Sequence, residues 1–398
     1  MISTDSLSRY SVTEMHDTSR QQIAVVRSSY SPYGGAETLA LSVISELLRR
    51  GIKVHLLTWP QQGWPLSHSN LKIVPLGSRH GNRLWRLWLF EQSVKKYLAS
   101  HGFERIFSID LVSEFTHMHA GGGSHQTFLR IKNQHSSAFT QLFRKASLFH
   151  AYTIHLQKKG FSNPRLAGIH CCSRMVAEDI QRDYEVPSSK ITVIYNGMNW
   201  ERMGDAFLTR TELAEKLSQQ YGLNLDNEWV LFLGTGFFRK GLDIAIRGLR
   251  YMPESYHLMV IGSDKPHPFR NMASKYRVDH RVHFLGPKER GWRFASLCKA
   301  LVLPSRYEPF GLAAAEAQAM GLPVLVSDRT GYAEIIVDGK TGVIVPVTST
   351  EKEVERAFSS LLSLVEKPAM SAGQIRESVK GLDQRIILNK LICEFLEL

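Results

Sequence analysis

The chain has 398 residues, of which 43% are hydrophobic and 22% charged, with a formal net charge of +12. That length gives room for two or three domains with sizeable cores, and the balance excludes a disordered chain and, with no apolar run long enough to span a bilayer, a helical integral membrane protein. The four cysteines, Cys171, Cys172, Cys298 and Cys393, lack metal-ligand spacing and include an adjacent pair ill suited to a disulfide, so they predict reduced thiols in a cytoplasmic protein.

Residues 1–20 are polar and predict a flexible tail rather than a signal peptide or an anchor. Residues 22–27 predict the first strand. A loop carrying Gly34 and Gly35 leads into a helix from about Glu37 to Arg50, and residues 51–58 predict the second strand. Two glycines there suit a tight turn as readily as a ligand loop.

Residues 79–160 hold twelve cations against four acids, a surplus of eight, interleaved with Trp85, Trp88, Phe90, Phe128, Phe139, Phe143 and Phe149. Basic and aromatic residues on amphipathic stretches suit an anionic membrane surface or an anionic lipid-linked ligand. A solvated basic face with buried tryptophans is the plainer reading. Nucleic acid is the competing anion, but no DNA- or RNA-binding motif appears, and none is expected as a partner.

A strand is predicted at 104–109. His117 and His119 then lead to Gly121, Gly122, Gly123, Ser124 and His125, with Ser124 placed to cap a helix from about Gln126. Glycines before a helix start make an anion-friendly concavity. Any one of these histidines could simply pack. His119, just before the glycines, is the best placed to hydrogen-bond a ligand. Residues 168–173 predict the last strand of the first domain. A helix over 175–184 and a strand over 191–195 follow, and the domain boundary falls between about Met198 and Asn227.

In the second half, strand 229–234 ends at Gly234, and Thr235, Gly236, Arg239, Lys240 and Gly241 lead to a helix near Leu242. Glycines let the backbone approach a ligand, and two cations can neutralise a leaving group. Strands are predicted at 257–262, 281–286, 300–304, 322–327 and 342–346, alternating with helices as in a parallel sheet. After strand 300–304 come Glu308, the turn Pro309-Phe310-Gly311, and an alanine-rich helix with Glu316 about two turns in. The amides of Phe310, Gly311 and Leu312 are expected to be free for an anion.

The two glutamates eight residues apart resemble the E-x7-E signature of the retaining nucleotide-sugar glycosyltransferases of family 4. The resemblance covers roughly residues 21–370 and is strongest over 165–347. The loop around Gly122 resembles that of bacterial cell-surface glycosyltransferases related to the lipopolysaccharide core glucosyltransferases. It implies an α/β, GT-B fold: two Rossmann-like domains with parallel sheets facing across a cleft. The first spans 21–200 and binds acceptor, the second spans 201–375 and binds the nucleotide sugar, and 376–398 forms terminal helices, the last returning to the first domain.

The family assigns Arg239 and Lys240 to the donor diphosphate, Glu308 to sugar hydroxyls near the anomeric carbon and Glu316 to the ribose. Gly34, Gly35, Gly234, Thr235, Phe310, Gly311 and Leu312 complete the expected donor site, with Glu37 a weaker candidate. His119, Gly122 and His125 form the expected acceptor site. No cofactor or metal is expected, because the cations take that role. The implied reaction moves a hexose from a UDP-sugar, such as UDP-glucose, to a cell-surface glycan such as lipopolysaccharide core, on the inner face of the cytoplasmic membrane. The alternatives are a GT-B epimerase or phosphorylase, or a non-catalytic glycan- or membrane-binding protein. Neither accounts for the presence of Arg239, Lys240, Glu308 and Glu316 together.

Overall fold

The computed structural model describes residues 22–31, 35–134, 147–347 and 350–397. The expected tail, Gly34, Phe139, Phe143, Arg144 and Lys145 lie outside the described residues.

Thirteen strands and thirteen α-helices are described. The first sheet contains β1 (Gln22–Val26), β2 (Lys53–Thr58), β3 (Leu71–Pro75), β4 (Arg105–Ser108), β5 (His117–His119), β6 (Gly168–Cys171) and β7 (Ile191–Val193). Its order is β3-β2-β1-β4-β5-β6-β7, and the neighbours are parallel. The second contains β8 (Glu228–Leu233), β9 (Tyr256–Ile261), β10 (Val282–Gly286), β11 (Cys298–Leu303), β12 (Val324–Ser327) and β13 (Gly342–Val345), in the order β10-β9-β8-β11-β12-β13, again parallel. Central strands such as Ile23–Val26 and Val230–Phe232 are buried residue after residue. This is what helices on both faces of a parallel sheet require.

The connecting helices of the first half are α1 (Gly35–Arg49), α2 (Arg83–His101), α3 (His125–Gln134), α4 (Leu148–Phe161) and α5 (Arg174–Tyr184). Those of the second are α6 (Trp200–Leu208), α7 (Arg210–Tyr221), α8 (Leu242–Leu249), α9 (His267–Lys275), α10 (Leu312–Ala319), α11 (Glu351–Glu366) and α12 (Ala372–Ser378), and α13 (Gln384–Leu396) ends the chain. Local chemistry sets several ends. Asn82 caps α2 by accepting from the Trp85 amide at 2.9 Å, and Gly102 closes it in the left-handed conformation. Ser371 and Gln374 form a reciprocal capping box on α12.

Three strand readings need correction. The short β5, His117–His119, was not anticipated between β4 and β6. β3 was not anticipated: it is an edge strand with only Val74 buried, so its pattern carries no core signal. Residues 168–171 are not the last strand of the first sheet. β7 pairs with β6 in register, Ile169 opposite Ile191, and extends that sheet by one strand.

The last helix crosses back. Leu391, Ile392 and Phe395 of α13 are buried in the core that α1 and β1 form with Ile23, Val43 and Leu47. The Phe395 ring meets Phe107 of β4 edge-on at 5.1 Å. Burying three large apolar side chains at about 1.5–3 kcal/mol each fixes the chain terminus on the first domain.

Candidate active site

Loops leaving the C-terminal ends of both sets of strands meet across one cleft, where open α/β sheets bind their ligands. The cavity there is about 760 Å³. Arg27, Gly35, His119, Gly122, His125 and their neighbours line one wall, and Arg239, Tyr307, Glu308, Phe310, Gly311 and Leu312 line the other.

On the second-domain wall, the loop after β8 turns back on itself. Gly234 has φ +134, and a Cβ there would lie 2.5 Å from Cε of Lys240, so glycine is what lets the lysine fold beneath the strand end. The Lys240 ammonium donates to Glu308 Oε2 at 2.7 Å and the Arg239 guanidinium to the same oxygen at 2.8 Å. Arg239 also donates to the Tyr307 carbonyl at 3.0 Å. Burial alone would raise the Glu308 pKa, but Lys240 and Arg239 outweigh it and hold the carboxyl below its ordinary range. The Thr235 hydroxyl lies 2.9 Å from that of Ser263.

Two residues without an assigned role in the sequence hold this loop. Arg306 grips Asp243 of α8 with two bonds of 2.7 Å and donates to the Phe238 carbonyl at 2.7 Å. Its own amide donates to the Arg239 carbonyl at 2.7 Å, tying the loop before α10 to the loop before α8. Asp264 accepts from the Phe237 amide. Arg306 adjoins the glutamate motif, so its position was visible, but a bidentate partner 63 residues away was not.

Glu316 sits one turn into α10, not two, because the helix begins at Leu312. It faces a smaller recess of about 200 Å³ that also takes in Trp292 and Gly197 and shares Gly35, Asn196 and Leu312 with the main cavity. Burial lifts its pKa to about 7, with Lys240 pulling the other way. Among the described residues nothing accepts a hydrogen bond from the amides of Phe310, Gly311 and Leu312, and Gly311 has φ +105 at the helix start.

The first-domain wall differs from its expected form. His119 is buried and lines the cavity, with its pKa pushed down to about 4 by burial. His125 Nε2 lies 3.0 Å from His150 Nδ1, and its amide donates to Gln157 at 3.0 Å. Burial, then His150, Arg83 and Lys132, push its pKa down to about 4. Gly122 lines the cavity, but a Cβ there would meet nothing within 4 Å. The demanding position is Gly123, at φ +70, where a Cβ would lie 2.2 Å from the Tyr307 hydroxyl. Glu37 does not face the cleft freely: Arg27 holds it at 2.8 Å and also pairs with Asp110.

The walls are pinned together. Ser124 donates its amide to the Tyr307 hydroxyl at 3.2 Å, and Ser173 donates to the Pro309 carbonyl at 2.7 Å. Glu334 accepts from the Arg174 and Met175 amides at the start of α5, at 3.0 and 2.8 Å. Arg329 pairs with the buried Asp179 at 3.1 Å.

Two family models divide the chain at the same place as the two sheets: "Glycosyltransferase Family 4" matches residues 33–202 and "Glycosyl transferases group 1" matches residues 214–377. This chain is a glycosyltransferase of the GT-B, family 4-like type. The lipopolysaccharide glucosyltransferase WaaG of Escherichia coli K12 is 24% identical over 348 residues, covering 86% of this chain and 89% of the relative. Among solved structures, WaaG superposes with a TM-score of 0.77 at 20% identity, over 94% of this chain and 99% of that one. Anabaena HepE in complex with UDP-glucose superposes at 0.65 and 17% identity, over 94% and 99%. This GT-B architecture places the Glu308 motif on the wall built by the second domain.

Proposed function

We propose that the protein is a retaining hexosyltransferase that takes a UDP-linked sugar, such as UDP-glucose, and glycosylates a cell-surface glycan acceptor. The observation that carries this reading is the ion cluster in which Arg239 and Lys240 both grip Glu308 at the cleft surface. Both cations sit where a departing diphosphate would gather charge, at the mouth of a glycine-rich strand-to-helix loop. A HepE structure with UDP-glucose and the lipopolysaccharide activity in WaaG's name support donor and acceptor class respectively.

In this account the donor diphosphate takes over the guanidinium and ammonium contacts, and Glu308 turns to the sugar hydroxyls near the anomeric carbon. The bond from that carbon to the diphosphate oxygen breaks. The acceptor hydroxyl oxygen bonds the same carbon from the same face and passes its proton to the departing diphosphate. No carboxylate nucleophile is needed, unlike the retaining glycosidases. The two cations do the work a metal would otherwise do, and none is assigned. Glu316 is given the ribose hydroxyls, and the Phe310–Leu312 amides a phosphate oxygen.

The enzyme is assigned to the inner membrane face, as a peripheral protein. Trp85 and Trp88 stack at 4.9 Å and stay 50% and 39% exposed, beside Leu148 at 73%. Indoles at a surface suit a lipid headgroup region. The exposed Lys96, Lys158 and Lys159 supply charge. Lys95 is paired with the buried Glu91 at 3.0 Å, and Arg83 and Arg86 line an inner recess, so those three are not assigned to lipid. No helix among the described residues is long and apolar enough to cross a membrane.

The test is a panel of UDP-, GDP- and ADP-sugars scored by thermal shift and by sugar release. A ligand at 100 times its Kd stabilises by about 2.7 kcal/mol, so UDP-sugars should stand apart. Equal shifts across the three nucleotides, or none, would remove the donor assignment.

A further inference from the structure

A second recess of about 260 Å³ opens from the first-domain wall of the cleft. It shares Arg83, Asp110, Leu111 and Thr153 with the main cavity and extends it between α2 and α4 toward Arg86 and Trp59. Arg83 and Arg86 are three residues apart on α2, so both point from one helix face into it.

Neither arginine is neutralised. Among the described residues no carboxylate lies within ion-pair distance of either guanidinium. Aromatic rings hold them instead: the Arg83 guanidinium carbon lies 4.2 Å from the centre of the Phe149 ring, and that of Arg86 lies 5.7 Å from Trp59. The buried Nε of Arg86 has no hydrogen-bond partner. The acid in the recess is already committed, since Asp110 accepts from Arg27 and from the Ser28 amide at 2.5 Å. A guanidinium stacked on a ring keeps its in-plane N–H groups free, and a forked pair of such groups matches an oxyanion. Structural arginines in this molecule have their donors taken up: Arg306 and Arg27 each hold carboxylates, and the buried Arg376, stacked on Trp200, donates to the Ala319 and Trp200 carbonyls.

We propose that Arg83 and Arg86 form a phosphate subsite for the acceptor, so that the hydroxyl to be glycosylated belongs to a molecule carrying a phosphate group a short reach away. This rests on the glycosyltransferase reading of the cleft, in which the sugar donor occupies the opposite wall. The subsite selects acceptors by charge and leaves the donor contacts untouched. It also explains part of the basic surplus on α2 without a membrane or a nucleic acid.

The test uses the full chain saturated with UDP, so that the Arg239–Lys240 site is filled, and titrates methyl phosphate by ³¹P NMR. The wild type should bind it with a Kd on the order of 1–10 mM, as expected of a small fragment of a larger ligand. The R83Q/R86Q double variant should lose the line broadening. Arg83 is exposed, so R83Q alone will fold, and it should weaken binding at least threefold. A wild type that does not broaden the signal overturns the proposal, as does a double variant that broadens it equally. UDP titration separates the two levels: if the wild type fails to bind UDP, the donor reading falls, whereas normal UDP binding with no phosphate response removes only the subsite.

Discussion

The two walls of the cleft handle charge in opposite ways. On the second-domain wall the cations are stored against a carboxylate: Arg239 and Lys240 share one oxygen of Glu308, and Arg306 beneath them grips Asp243. On the first-domain wall Arg83 and Arg86 lean on aromatic rings, and burial holds the wall histidines, His119 and His125, neutral at pH 7. A stored pair keeps its geometry until a competing anion arrives. An uncommitted guanidinium waits with its donors open. The first arrangement suits a ligand whose charge grows during the reaction, and the second suits a ligand whose charge stays constant.

Acid should separate the walls most strongly. Burial alone pushes His119 down to about 4; burial, and then nearby charges, push His117 down to about 4 and His170 down to about 3, and all three sit in strands of the first sheet. A histidine whose folded pKa lies below its unfolded value of about 6.5 contributes stability in full above that value. It loses that stability as pH falls through the window between 6.5 and the folded pKa. Each such group adds a slope of up to about 1.4 kcal/mol per pH unit. Chemical denaturation between pH 7 and 4 should show the first domain failing before the second. Simultaneous loss of both, with no change above pH 4.5, would break the distinction.

Next in size is the support under the donor wall. Removing one partner of a fully buried ion pair costs about 3–5 kcal/mol; the Arg306–Asp243 pair is partly buried, so Asp243→Ala should cost up to about 3 kcal/mol and lower the unfolding midpoint. The same change in Asp110→Ala should cost less, because Arg27 keeps Glu37 as a second partner. Urea titration of the two variants makes the comparison.

Lys240→Ala should cut transfer about 10²–10³-fold while the protein stays folded, the usual loss for one stabiliser of transition-state charge. Near-normal kcat would take Lys240 out of the reaction. A smaller effect is expected one turn along α10: Glu316→Gln should weaken UDP by about 1–3 kcal/mol and leave kcat nearly unchanged. Calorimetry with UDP, beside steady-state rates, distinguishes the two roles.

Legibility in the sequence follows the same division. The return of the last helix and the roles of Arg239, Lys240 and Glu308 are implied only by the family resemblance, and the ion cluster joining these three across the chain was not foreseen. The alternating strands and helices of both halves, by contrast, follow from short contiguous patterns. In each, a buried strand leads through glycine to a helix, and local rules are enough. The first wall resists such reading because its geometry comes from distant partners. Gly122 and Gly123 look alike in the chain, yet only Gly123 meets Tyr307, which lies in the other domain. Arg83 and Arg86 read as charge on a basic stretch, and nothing local shows that their guanidiniums lie against Phe149 and Trp59. Glu37 matched a ligand position in the chain, but Arg27 occupies it. β3 escaped because a solvent-facing edge strand needs little apolar pattern.

The central claim is that the nucleotide belongs to the second wall. Hydrogen–deuterium exchange with and without saturating UDP tests it directly. Protection is expected in the loops 234–241 and 304–312 and along α10 to Glu316, with little change at 119–125 and around Arg83. Protection concentrated at 119–125, with 234–241 exchanging as in the free protein, would contradict the account.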